Sequence, residues 1–131
     1  MKDIRPIPPE LDALASALIE SAFQVHRELG AGLLESVDEA CLCHELSLQR
    51  IPFERQLDLP VRYRGILLDA GLRIDLWIDR KVIVELKAVE EIHPAHEAQL
   101  LTYMKLSGSR LGFLINFGAP RLKDGILRRV L

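Results

Sequence analysis

The chain has 131 residues, with 17 Lys and Arg against 19 Asp and Glu, a formal net charge of −2 and 49% hydrophobic residues. That is the size and balance of one soluble domain with its own core, away from the low-hydrophobicity, high-charge composition of disordered chains. The charge excludes a general basic coat for nucleic acid, because neutralising phosphates needs a concentrated positive surface, but it leaves room for an enzyme that grips nucleic acid locally.

No charge-free apolar run reaches the ~18 residues of a membrane helix. The start, Met1 to Glu10, carries Lys2, Asp3, Arg5 and three prolines where a signal peptide would be apolar. A cytoplasmic protein without membrane contact is expected, a single domain over residues 1–131 with residues 1–9 as an extended lead-in. Cys41 and Cys43 stand two apart. That spacing suits neither a helix disulfide nor a Cys-x-x-Cys site, and both read as small buried hydrophobes in a reducing compartment.

After the prolines, Leu11, Leu14, Ala15, Leu18, Ala22, Val25 and Leu29 recur in steps of three and four, which predicts an amphipathic helix closed at Gly30. Gly30-Ala31-Gly32 is a tight connector to a second helix, roughly Leu34 to Gln49, with Val37, Ala40, Cys41, His44 and Leu48 on one face. From Ile51 the period falls to two, and Phe53 to Tyr63 reads as strand up to a turn at Arg64-Gly65. Ile66 to Asp69 resume an apolar run. Leu72, Ile74, Leu76 and Ile78 then alternate with Arg73, Asp75, Trp77 and Asp79. The break Asp79-Arg80-Lys81 leads into Val82 to Lys87, the clearest hairpin of the chain. Pro94 opens a third helix to Leu106, stopped by Ser107-Gly108; Leu111 to Phe117 is a further strand and Gly125 to Leu131 an edge strand. The order predicts an α/β or α+β fold with a mixed sheet.

The chemistry concentrates in the hairpin. A three-residue loop pairs Ile78 with Val82 and, counting back, opposes Asp75 to Glu85 on one face; a two-residue turn would separate them. Opposed carboxylates repel, so solvent or a cation must relieve them. Oxygen ligands select hard ions such as Mg²⁺ or Mn²⁺, which take one or two protein carboxylates and leave room for water and substrate phosphate. Lys87, one pleat repeat beyond Glu85, is then placed to orient a metal-polarised water or to stabilise charge on a phosphate. The alternative is an Asp, a Glu and a Lys on a solvated sheet face.

Asp75, then nine residues, then Glu85-Leu86-Lys87 resembles the Asp…(Asp/Glu)-x-Lys signature of the PD-(D/E)XK nuclease superfamily. Gly32-Leu33-Leu34-Glu35 after a first helix, Val84-Glu85-Leu86-Lys87-Ala88 and Leu114-Ile115-Asn116-Phe117 are similar to the small bacterial and archaeal GxxExxY proteins within it. The likeness runs from about Leu18 to Val130. It departs at Asp38, where the family's name-giving Tyr would stand. The resemblance implies a restriction-endonuclease-like core, a mixed central sheet flanked by helices, and a nuclease that hydrolyses phosphodiester bonds through a metal-activated water. It implies Asp75, Glu85 and the Leu86 backbone carbonyl as ligands of Mg²⁺ or Mn²⁺, with Lys87 and Glu35 as catalytic partners. The substrate would be nucleic acid, with DNA favoured over RNA.

Gln99 and Tyr103, four apart on the third helix, are similar to the Gln-x-x-x-Tyr motif of the superfamily's exonuclease branch, where they would contact phosphate or brace the site. Arg73 is expected to meet a phosphate or to neutralise the acids. Arg121, Lys123, Arg128 and Arg129 form a basic C-terminal segment that tracks a backbone or is plain charged surface. Cys41 with His44 and His93 with His96 would make a zinc site if the pairs met. Two rivals stand beside the nuclease: a non-catalytic module binding nucleic acid or protein on the same fold, and a structural subunit in which the leucine-rich first helix packs on a second copy as a homodimer.

Overall fold

The computed structural model describes residues 6–32 and 34–131. The expected lead-in lies outside the described residues as far as residue 5, as does Leu33 of the connector. Pro6 to Pro8 are non-helical, and the first helix begins at Pro9, since proline fits the first turn, where an amide N–H would have no partner. The elements are α1 (Pro9–Leu29), α2 (Glu35–Leu48), β1 (Phe53–Tyr63), β2 (Ile66–Ile78), β3 (Val82–Lys87), α3 (Pro94–Ser107), β4 (Leu111–Asn116) and β5 (Ile126–Val130), with a short 3-10 turn at Leu122–Gly125. No described helix is long and apolar enough to cross a membrane.

The five strands form one mixed sheet in the order β1-β2-β3-β4-β5. Every neighbouring pair is antiparallel except β3 and β4, which run parallel because α3 carries the chain back between them. Helices α1 and α2 cover one face. Leu11, Ala15, Leu18, Ala22 and Val25 of α1 pack with Leu42, Cys43 and Leu46 of α2 on Leu76, Ile78, Val84, Leu86, Phe113 and Ile115. The apolar stripe of α1 is thus spent on its own sheet. Helix α3 covers the other face through Leu100, Tyr103 and Met104 against Ile74, Ile83 and Leu114.

Two sequence expectations are corrected. The inward face of α2 is Asp38, Glu39, Leu42, Cys43 and Leu46, while Val37 and Leu48 are exposed. The helix is turned so that Leu42 and Leu46 fill the core, and Cys43, not Cys41, becomes the buried thiol; both thiols are free. The runs Ile66 to Asp69 and Leu72 to Ile78 are a single strand, β2, bent at Gly71 (φ +72°) and shifted in register opposite Pro60, which has no N–H to give the ladder.

The Asp79-Arg80-Lys81 loop sets the expected register, Ile78 with Val82, Trp77 with Ile83 and Leu76 with Val84. The ladder ends there. Further back along β2 the alternation breaks: Ile74 packs on the α3 side, Leu76 and Ile78 on the α1 side. The break falls at Asp75, opposite Gln56, whose φ of +48° is rare for a residue with a side chain.

Candidate active site where two strands part

Beyond Leu76 and Val84, side chains take over the bonding between β2 and β3. The Asp75 N–H donates to Glu85 Oε1 at 3.3 Å, and the Leu86 N–H donates to Asp75 Oδ2 at 2.8 Å. Asp75 and Glu85 therefore meet where the strands part, Asp75 half-buried and Glu85 only 2% exposed. Burial first, then the charge of Asp75, pushes the Glu85 carboxyl up to about 9. Without a cation the pair holds a proton near neutral pH.

Lys87 follows on the last residue of β3, half-buried, and its charge acts against the rise at Glu85. Glu35, in the first turn of α2, is raised above the ordinary glutamate range by partial burial and then by Asp75, with Lys87 opposing. The first turn of α2 thus brings a third carboxylate within electrostatic reach of the hairpin acids and their lysine, although it is forty residues away in sequence from Asp75.

Gln99 and Tyr103 do share a helix face, and Gln99 Nε2 donates to Tyr103 Oη at 2.9 Å. Tyr103 is buried in the α3-side core, so its hydroxyl sits as a brace beneath that face. Arg73 pairs with Asp58 across β1 and β2 at 3.2 Å, both exposed. The basic C-terminal segment is largely paired as well: Arg121 with Asp124, Arg128 with Asp12 and Arg129 with Glu97. Cys41 and His44 stand on α2 and His93 and His96 at the start of α3, on opposite faces of the sheet, so the two pairs do not meet. The two histidines instead build a capping box, each ring accepting a backbone N–H.

Several supporting roles escaped the sequence reading. Glu39 accepts from Gln56 Nε2 at 2.7 Å and from Arg55 Nη2 at 3.1 Å, and Gln56 Nε2 also reaches Asp75 Oδ1 at 3.4 Å. The only signal for Glu39 was its place one helical turn after Glu35. Asn116, 2% exposed, clasps Val89 by both backbone groups and receives the Gly118 N–H, while the Phe117 N–H bonds the Lys87 carbonyl. These bonds pin the chain just beyond Lys87. Asp38 is buried with Oδ2 lacking a hydrogen-bond partner among the described residues, and burial lifts it to about 6 against the pull of His26.

Among the described residues no three His, Cys, Asp or Glu side chains converge closely enough to enclose an ion by themselves. Asp75 and Glu85 do lie together where the strands part, and their all-oxygen character suits a small hard cation that keeps most of its positions for water and phosphate. A groove of about 660 Å³ between α1 and α2, lined by Glu20, Ser21, Gln24, Arg27 and Gln49, contains none of these acids. Residues 12–130 match the family profile of the PD-(D/E)XK nuclease superfamily. A comparison with curated proteins finds no match.

Proposed function

The chain belongs to the PD-(D/E)XK nuclease superfamily, and from that premise we propose that it hydrolyses nucleic-acid phosphodiester bonds with a divalent cation, Mg²⁺ or Mn²⁺, held by Asp75, Glu85 and the Leu86 carbonyl. The observation that carries the proposal is the buried Glu85 set against Asp75 where β2 and β3 part, with Lys87 on the same strand. Structure alone seldom forces two acids together out of water, because their repulsion and desolvation oppose folding.

A bound divalent ion would supply Lewis acidity for water activation and neutralise phosphate charge. Asp75 and Glu85 would provide its charge-matched seat. Lys87 places an ammonium beside the seat, where it stabilises negative charge growing on a phosphate. Glu35, raised by burial and Asp75, is a carboxyl able to hold a proton at the mouth of the site. Gln99 donates one amide N–H to Tyr103 and keeps the other as a donor for a phosphate oxygen. Gly32, Glu35, the hairpin acids and the Asn116 segment support placing the chain among the GxxExxY proteins, with DNA as the favoured substrate and a single domain over its whole length.

The test is cleavage of linear and supercoiled DNA and of RNA with Mg²⁺ or Mn²⁺, comparing wild type with Asp75→Ala/Glu85→Ala and with Lys87→Met. Metal-dependent cleavage by wild type, lost in the double variant together with Mn²⁺ binding, and lost in Lys87→Met with Mn²⁺ binding retained, is the expected result. A wild-type chain that binds nucleic acid but neither Mn²⁺ nor Mg²⁺ would make the non-catalytic module the better reading.

A further inference from the structure

Gln56 occupies the middle of β1, yet its backbone φ is +48°. That conformation costs a residue with a side chain about 1 kcal/mol or more, and such strain persists only where the surroundings hold it. Its neighbours Arg55 and Leu57 pair with Leu76 and Ile74, and the strained residue stands opposite Asp75, where the ladder of β1 and β2 is interrupted. The side chain so placed donates to two acids from different elements, Asp75 Oδ1 at 3.4 Å and Glu39 Oε1 at 2.7 Å.

The other oxygen of each acid is also held. Asp75 Oδ2 accepts from the Leu86 N–H, and Glu39 Oε2 accepts from Arg55. One donor per oxygen, from the strands on either side, leaves the Asp75 carboxylate a single orientation. We propose that Gln56 is a positioning residue for the hydrolytic site, its side-chain amide setting the Asp75 carboxylate against Glu85 and tying that setting to α2 through Glu39. The inference rests on the hydrolytic reading above and assigns Gln56 no contact with substrate. It also explains how α2 is docked: Glu39, bound to Gln56 and Arg55 of β1, fixes the turn of α2 that carries Glu35 toward Asp75 and Lys87.

Two substitutions with opposite backbone demands separate this role from simple bracing. Gln56→Gly removes the amide and relieves the positive φ; Gln56→Met removes the amide and keeps the chain length. Thermal melting and Mn²⁺ calorimetry are measured on both and on wild type, together with the Mn²⁺ concentration that half-activates cleavage. Loss of an outer partner of a metal-binding group typically weakens affinity 10–100-fold, so both variants are expected to bind Mn²⁺ about tenfold or more weakly. The half-activating concentration should rise in step, with KM for nucleic acid unchanged, and Gln56→Gly should melt within a few degrees of wild type. Wild-type Mn²⁺ affinity in either variant, or weakened binding only in the variant whose melting temperature falls, overturns the inference while leaving the hydrolytic reading intact. A wild-type chain that binds no Mn²⁺ overturns the hydrolytic reading and the role of Gln56 with it.

Discussion

Asp75 and Glu85 are joined through their side chains where their strands stop pairing: the Asp75 N–H points at Glu85 Oε1, 3.3 Å away, and the Asp75 carboxylate reaches past it to the Leu86 N–H. The hairpin trades two ladder hydrogen bonds for a pair of carboxylates in a nearly closed space. Its behaviour with pH follows from that exchange.

Glu85 has a folded-state affinity for its proton well above that of an exposed glutamate, rising to about 9 from 4.5. Its contribution to stability is therefore complete below about pH 4.5 and is lost as the pH climbs toward 9. Glu85→Gln, which removes the ionisation and keeps an oxygen to accept the Asp75 N–H, is expected to raise the metal-free protein's stability by about 2–4 kcal/mol at pH 8 and to change it little at pH 4. Melting curves across that range in the presence of a chelator measure it. A gain that does not depend on pH would contradict the buried-proton account.

Asp38 follows the same sign over a narrower window. Its carboxyl is lifted from 3.8 to about 6 by burial, so the protonated form is the one that fits, and stability falls as the pH rises between those values. Asp38→Asn should stabilise the fold by about 1–2 kcal/mol at pH 7.5 and be neutral at pH 4, as read by denaturant titration at the two pH values.

Asn116 makes three hydrogen bonds to the backbone at Val89 and Gly118. Truncation to Ala strands those groups in a buried place, at about 1–3 kcal/mol for an orphaned donor or acceptor, and the total loss should reach about 2–4 kcal/mol. Because the same segment holds the Lys87 carbonyl through Phe117, cleavage per folded molecule should fall as well. Mn²⁺ affinity, set by residues further up the strands, should move less than threefold in calorimetry, a modest figure beside the tenfold typical of direct outer partners.

Tyr103→Phe keeps the ring in the α3-side core and removes the acceptor of the Gln99 amide. The expected cost is about 1 kcal/mol of stability with Mn²⁺ binding retained. A collapse of nucleic-acid binding at unchanged stability would instead make the tyrosine hydroxyl a substrate contact.

The element order was legible because it depends on local rules. Periods of two and of three to four marked the strands and helices, and glycines and prolines marked the ends, while the opposition of β2 and β3 hung on a loop length that the structure sets at three residues. The acids of the hairpin could thus be named before any coordinates. The face of α2 could not be read the same way, since inward Asp38 and Glu39 look polar in sequence and are drawn in only by partners on β1 and α1. Arg73, expected to meet a phosphate or to neutralise the acids because strand periodicity put it on the face of Asp75, has an exposed partner in Asp58 on a strand whose alternation breaks at Asp75.

The sequence by itself determined the list of elements and the candidate carboxylates on two neighbouring strands, which follow from side chains close together along the chain. Only the tertiary structure decided that the hairpin loop has three residues, that the strands part at Asp75, and that Gln56, Glu39 and Asn116 hold the site. Those contacts join residues far apart in sequence, and their energies exist only once the sheet and helices have packed.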